Sequence, residues 1–333
     1  MLRRLYMPLW KRPSPEEKQR RLEEQREAEE SRQALEAGGL PLKARVRLNE
    51  EMSAGHPLFT SDLSTNEFLL TRQLGYQPLS QVMGSSIYHV GWQYARRYTW
   101  NTSANELITL SQAHQHAAQL ALGRLQQEAA LLRAHGVIGV RFTQRRYEWG
   151  SHLLEYTAIG TAIRLPQSPL GAQPFISDLS GQEFWTLLQA GYYPTGVVTG
   201  YCSYYVSLGS RMTQQLKGWW GVGGVNQEIV PFAQAVYTAR HLAMTRADAM
   251  GKNLQAVGIV GMHIENERNV IEYETDNPSA KYLDLFMHFA VTGTAIVARK
   301  KEHHIPSLKP TLTLTDLRPG YYGQNRELTF NEE

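Results

Sequence analysis

The sequence predicts an α+β protein built from two tandem α-β-β-α-β-β modules, preceded by a charged N-terminal helix or extension. Three observations predict it: a long repeat at constant offset, an Ala-rich helical period in each copy, and glycine-ended runs of β-branched residues flanking that helix. Copy one holds Phe59-Thr-Ser-Asp-Leu-Ser-Thr-Asn-Glu-Phe68, Gly75-Tyr-Gln-Pro78 and Val82-Met-Gly84. Copy two holds Phe175-Ile-Ser-Asp-Leu-Ser-Gly-Gln-Glu-Phe184, Gly191-Tyr-Tyr-Pro194 and Val198-Thr-Gly200, so 116 residues separate Asp62 from Asp178, Gly75 from Gly191 and Gly84 from Gly200. The offset rises to 122 at Glu106/Glu228, Arg124/Arg246 and Gly136/Gly258, and to 133 at Gly160/Gly293. Copy two therefore carries six extra residues within Lys217–Gly224 and eleven around Asn269 to Ala280, both placed in loops.

Taken in order, residues 1–50 form the N-terminal extension. Leu2, Leu5, Tyr6, Leu9 and Trp10 interleave with Arg3, Arg4, Lys11 and Arg12. Such a basic, aromatic pattern suits a partner groove or a membrane surface, with Leu5, Tyr6, Leu9 and Trp10 as contacts; a disordered extension is the plainer reading. Residues 14–36 are almost all Glu, Arg, Gln, Lys and Ala, which favours a solvated helix or spacer with opposite charges four residues apart. The modules span 56–165 and 172–300. In each, Asp-Leu-Ser with a following Glu (Glu67, Glu183) starts a short helix that ends at Gly75 or Gly191. Pro78 to His89 and Pro194 to Val206 read as a strand pair. Leu110, Ala113, Ala117, Leu120, Ala121, Ala129 and Leu132 mark one helical face, as do Ala235, Ala239, Leu242, Ala243, Met250 and Leu254, and alanines permit close approach to a packing partner. Gly136 and Gly258 then stop the helix and open a strand, and a last strand runs through Gly160-Thr-Ala or Gly293-Thr-Ala. Residues 301–333 are a tail in which Leu312 and Leu314 alternate with Thr, a strand for a neighbouring subunit.

The composition bounds the class. With 42% hydrophobic and 20% charged residues, the chain is globular, and its apolar runs are far shorter than the ~20 residues of a membrane helix. A net charge of +3 from 34 basic and 31 acidic residues argues for no specific nucleic acid partner. A single cysteine, Cys202, excludes an intrachain disulfide and a one-chain thiolate zinc cluster. The basic start lacks an apolar segment behind it, so no secretion signal is expected and the compartment is the cytoplasm.

Val197-Val-Thr-Gly200, Gly221-Val-Gly-Gly224, the helix bearing Ala239 and Ala243, Ala256-Val-Gly-Ile-Val-Gly261 and Val291-Thr-Gly-Thr-Ala-Ile296 resemble the YbjQ-like family, named for heavy-metal binding. Copy one keeps Val82-Met-Gly84, Gly136-Val-Ile-Gly139 and Ile159-Gly-Thr-Ala-Ile163 but has Tyr98-Thr-Trp-Asn-Thr-Ser103 in place of the Gly-rich loop. The resemblance implies a compact α+β fold that assembles, in single-domain members, as a homopentameric ring; it implies no activity. Two linked units suit a ring of five chains and ten units, or the corners of a closed shell.

Candidate chemistry is sparse. Metal ligands are Cys202, His263 and His288: the two histidines share an ion if their strands are neighbours in the right register, and Cys202 contributes if symmetry gathers its copies. Satisfied sheet histidines and a buried small residue, matching Ser86 in copy one, are the plainer readings. His114 and His116 lie two apart on a helix and cannot share an ion, and His303-His304 reads as a polar linker. Gly221-Val-Gly-Gly224 lacks the Lys-Ser/Thr of a phosphate loop, so Trp219, Trp220, Gly221, Gly223 and Gly224 form a subunit contact. The repeated acids Asp62, Asp178, Glu67 and Glu183 serve as helix caps and dipole partners rather than catalysts. The expectation is a non-enzymatic self-assembling protein, a homo-oligomer with a scaffolding or compartment role. The alternative is a protein binding a divalent metal ion or small ligand at its subunit interfaces.

Overall fold

The structure is a computed structural model that describes residues 14–54, 59–90, 102–146, 153–166, 169–171, 173–209, 212, 228–274 and 281–298. The elements run α1 (Pro15–Glu36), α2 (Leu42–Ser53), α3 (Thr65–Gln73), β1 (Gln77–His89), β2 (Ser103–Glu106), α4 (Ile108–Leu131), β3 (Gly136–Arg146), β4 (Leu153–Arg164), β5 (Phe175–Ile176), α5 (Gly181–Gln189), β6 (Tyr192–Leu208), α6 (Val230–Asn253), β7 (Gly258–Glu274) and β8 (Lys281–Ala298). This is an α+β protein, with two four-stranded sheets ordered β1-β4-β3-β5 and β2-β6-β8-β7. Among the described residues no helix is long and apolar enough to cross a membrane.

The charged helix α1 buries none of its side chains, as its composition requires, and starts at a capping box on Ser14. The second helix, α2, contributes Leu48 to the buried cluster that holds Val82 and Leu125, and Arg47 pairs with Glu128 of α4 at 3.0 Å, so the extension is anchored to the first unit. Ser64 and Ser180 cap α3 and α5, each paired with the Glu three residues on, and Gly75 and Gly191 end the turns at φ +84° and +83°. The aspartates are not caps. Asp62 instead pairs with Arg141 at 2.6 Å, and Asp178 accepts from Thr294.

The span read as a strand pair is one continuous strand in each half, β1 and β6. The second strand of the first half is the later β2. It does not join its own sheet: it pairs antiparallel with β6, Ser103 opposite Ser207 and Glu106 opposite Tyr204. Conversely, β5 of the second half pairs parallel with β3 of the first, Gly136 opposite Phe175. Each sheet thus takes its outermost strand from the other half. Of the extra residues near Asn269, those up to Glu274 extend β7 instead of lying in a loop, since β7 and β8 stay paired out to Glu274 and Lys281; residues 275–280 lie outside the described residues.

The long helices α4 and α6 lie on β1 and β6 with their alanines inward. Ala117, Ala121, Ala239, Ala243 and Ala247 are fully buried. A Cβ added to Gly84 would sit 1.9 Å from the Ala121 carbonyl oxygen, and one added to Gly200 2.0 Å from that of Ala243. Helix backbone therefore rests on strand backbone, which only Gly facing Ala allows.

Candidate functional site at the seam between the halves

The two halves meet through a seam that uses different surfaces of each. From the first half come α4, β2, β3 and the N-terminal part of α3. From the second come β5, α5 and the edge of β6. Backbone bonds knit it: Phe175 N to His135 O at 3.1 Å, Ser177 N to Val137 O at 2.9 Å, Gly139 N to Leu179 O at 2.9 Å and Val140 N to Ser177 O at 3.0 Å. Glu67 Oε1 accepts from Gly181 N at 3.1 Å, and Gln115 Nε2 donates to Thr199 Oγ1 at 2.9 Å.

An ion pair joins the two halves across the seam, Arg246 to Glu106 at 2.6 Å. Burial alone would raise the Glu106 carboxyl, but Arg246 and hydrogen bonds from Ser111 and Cys202 outweigh it and hold it below the ordinary range. Cys202 lies beside this pair, fully buried. Its thiol is pushed up to about 12 by burial first and by the Glu106 charge second, the opposite of a reactive or metal-ready thiolate.

The centre of the seam is a cluster of rings. His114 of α4 lies against His288 of β8 with ring centroids 3.9 Å apart, and Tyr201 stacks beside both at 5.9 Å. His114 Nδ1 meets the Tyr156 hydroxyl at 2.6 Å, that hydroxyl donates to Gln144 Oε1 at 2.9 Å, and His288 Nδ1 meets Ser203 Oγ at 2.9 Å. Nearby a cavity of about 30 Å³, the space of a single water, is lined by Gln144, Tyr156, Tyr201, His263, Glu265 and Thr292. It is too small for a ligand. No sequence pattern announced the cluster, because its members come from four elements and both halves.

The proposed ligand set does not converge. The strands of His263 and His288 are neighbours, but the register places His263 opposite Thr292 and His288 opposite Glu267. Four residues of β8 separate those positions, roughly 13 Å at about 3.3 Å per residue. His263 is exposed near Glu265, at 3.4 Å, while His288 is buried. Among the described residues no group of three or more His, Cys, Asp or Glu side chains is arranged to hold a metal ion. The contact residues Trp219, Trp220, Gly221, Gly223 and Gly224, the N-terminal Leu5, Tyr6, Leu9 and Trp10, the pair His303-His304 and the C-terminal tail lie outside the described residues.

The seam is one-sided. Helix α4 packs on β6, yet α6 makes no comparable packing on β1; β5 covers β3, and among the described residues no strand covers the same edge of β7. Equivalent positions differ in exposure accordingly. Val140 on β3 is 4% exposed and its counterpart Met262 on β7 is 36%; Val137 and Ile138 are fully buried while Ile259 and Val260 are only half-buried. Among the described residues the second half therefore presents an uncovered counterpart of the surface that the first half uses.

No protein-family model matches the chain. Over 221 residues, 65% of its length, the chain is 38% identical to the encapsulin nanocompartment protein Rv1762c of Mycobacterium tuberculosis, of which it covers 80%.

Proposed function

The chain belongs to the family of that mycobacterial encapsulin nanocompartment protein, and on this premise we propose that it is a self-assembling shell protein, non-enzymatic, whose product is a closed homo-oligomeric compartment. One observation carries the reading from the family to this molecule: the apolar face of β7, with Met262 and Ile264 exposed, whose counterpart on β3 is covered. Exposed apolar surface of this kind costs solubility unless it is an interface. The likeness of both halves to the YbjQ-like family supports tandem modules and pentamer-based geometry, either a ring of five chains with ten units or a larger shell cornered by such rings. The near-balance of 34 basic and 31 acidic residues supports work in the cytoplasm without a specific nucleic acid partner. The basic and aromatic residues 2–12 support a tether to a partner protein or a membrane surface.

The mass of the intact particle tests this. Native mass spectrometry and electron microscopy of the full chain should show one high-order species with a hollow interior. A chain that stays monomeric at micromolar concentration refutes it.

A further inference from the structure

Inside the chain, Phe175 lies on Gly136 so closely that a Cβ there would fall 2.4 Å from its ring. At the equivalent Gly258 an added Cβ meets, among the described residues, only Ile296 Cγ1, at 3.9 Å, so none of them fills on β7 the place that a phenyl ring fills on β3. The residue equivalent to Phe175 is Phe59, 46% exposed and stacked on Phe68 at a centroid distance of 5.6 Å. We propose that the Phe59 of a second copy occupies the place above Gly258, and that residues 59–63 of that copy add to the edge of β7 as a parallel strand in the register of β5 on β3. This inference rests on the self-assembly proposed above and adds to it the partner surface and the register.

Both sides of the contact are already shaped for it. In the second half, Ser177 Oγ meets Thr294 Oγ1, Asp178 N donates to that hydroxyl and Leu179 N donates to Ser177 Oγ, at 3.1, 3.0 and 3.2 Å. In the first half, Ser61, Thr161, Asp62 and Leu63 make the same three bonds at 3.2, 3.1 and 3.1 Å. Residues 59–63 thus share the local hydrogen bonds of 175–179, and among the described residues no strand lies on their outer side. On the receiving side Gly139 and Gly261 share one bulge, at φ +62° and +63°, and Val257 N donates to Ile296 O as His135 N does to Ile163 O. Transferring the seam bonds by equivalence gives Phe59 N to Val257 O, Ser61 N to Ile259 O, Gly261 N to Leu63 O and Met262 N to Ser61 O, one partner in each bond coming from the second copy. Strand addition at an open edge satisfies such groups together.

A second pair of positions changes in concert. Gln115 and Thr199, hydrogen-bonded in the seam, correspond to Tyr237 and Met83. These are 72% and 48% exposed, and an aromatic ring against a thioether replaces a polar pair with an apolar one. At one point the two contacts must differ. A Cβ on Gly181 would lie 2.6 Å from Glu67 Cβ, and Thr65 stands at the equivalent position, so the second copy's α3 sits further from α5 than α5 sits from α3. Because each chain offers one face of each kind, the contact is heterologous and propagates until the rotation closes it. A closed ring made of it holds an even number of units.

The test uses the full chain with Phe59→Cys and Gly258→Cys together, and a second pair, Thr60→Cys with Ile259→Cys, from the Ile176–Val137 register. Directly opposed strand positions lie within the Cα range that a disulfide spans. Oxidation of the assembled protein should give a covalent ladder of two, three and more chains on a denaturing gel for both pairs, and no ladder for any single variant. Gly258→Ala should keep helix content and melting temperature while the assembled particle is lost. Particles that assemble normally yet give no ladder from either pair, crosslinked dimers from a single variant, or a Gly258→Ala particle of unchanged mass would each overturn the inference while leaving self-assembly in place. An unmodified chain that is monomeric would remove both.

Discussion

Gly200→Ala tests the closest contact in the fold. The new methyl would start 2.0 Å from Ala243 O and 2.9 Å from Ala247 N. An unstrained carbon–oxygen approach is about 3.3 Å, so α6 must retreat by ~1 Å or β6 must bow away. Neither end is a flexible side chain. A gap of ~1 Å forfeits between a quarter and a half of each dispersion contact along the buried face of Ala235, Ala239, Ala243 and Ala247. Added to ordinary overpacking strain, the cost comes to about 3–5 kcal/mol, which at about 2–4 °C per kcal/mol lowers the unfolding midpoint by roughly 10 °C. Scanning calorimetry with urea titration is the assay, and Gly123→Ala is the matched control. Gly123 lies in α4 with nothing within 4 Å of an added Cβ, so that change should stabilise by about 0.5–1 kcal/mol. A Gly200→Ala chain within about 1 kcal/mol of the parent would refute the claim that backbone-on-backbone packing sets the helix position.

Two further outcomes follow from the seam. Glu106→Gln strands the Arg246 guanidinium and should cost about 2 kcal/mol near neutrality, between the values for exposed and buried pairs. Because the Glu106 carboxyl is held below its ordinary 4.5, its contribution is full above that pH and is lost as pH falls, so chemical denaturation should show the two proteins converging in acid; a constant gap would refute the assignment. The Cys202 thiol is raised from 9.0 to about 12, so the folded chain keeps the proton the unfolded chain releases, and stability present below about pH 9 should fall as pH rises toward 12. Cys202→Ser, the residue found at the equivalent Ser86, should flatten that alkaline limb, and a thiol reagent at pH 8 should label the unfolded chain at least 100-fold faster than the native one; comparable rates would refute the burial argument.

Much of the local structure was legible in the residue order. The alanine period of α4 and α6 is set by 3.6 residues per turn, and Ser64, Glu67 and Gly75, or Ser180, Glu183 and Gly191, bound the short helices through bonds spanning a few residues. The Ala-rich spacing permitted close approach to a packing partner, and the structure makes that partner the strand bearing Gly84 or Gly200. The candidate chemistry was less legible. His263 and His288 sit on adjacent strands, but pairing of two strands is decided by the register of a whole hairpin, and a shift of four residues separates them. His114, noted only for its spacing from His116, found its neighbour in His288, far along the chain.

By itself, then, the amino-acid order determined the long Ala-lined helices and the capped ends of the short ones, because each depends on periodicity, capping and turn residues within a few positions. Only the tertiary structure decided which half each outer strand serves: β2 leaves its own unit for β6, and β5 leaves its own for β3. The two edges share a pattern, Gly136-Val-Ile-Gly139 on β3 and Gly258-Ile-Val-Gly261 on β7, so local sequence does not single one out. It turns on which edge lies within reach once the linker is laid down, a long-range matter of chain closure that residue spacing does not encode.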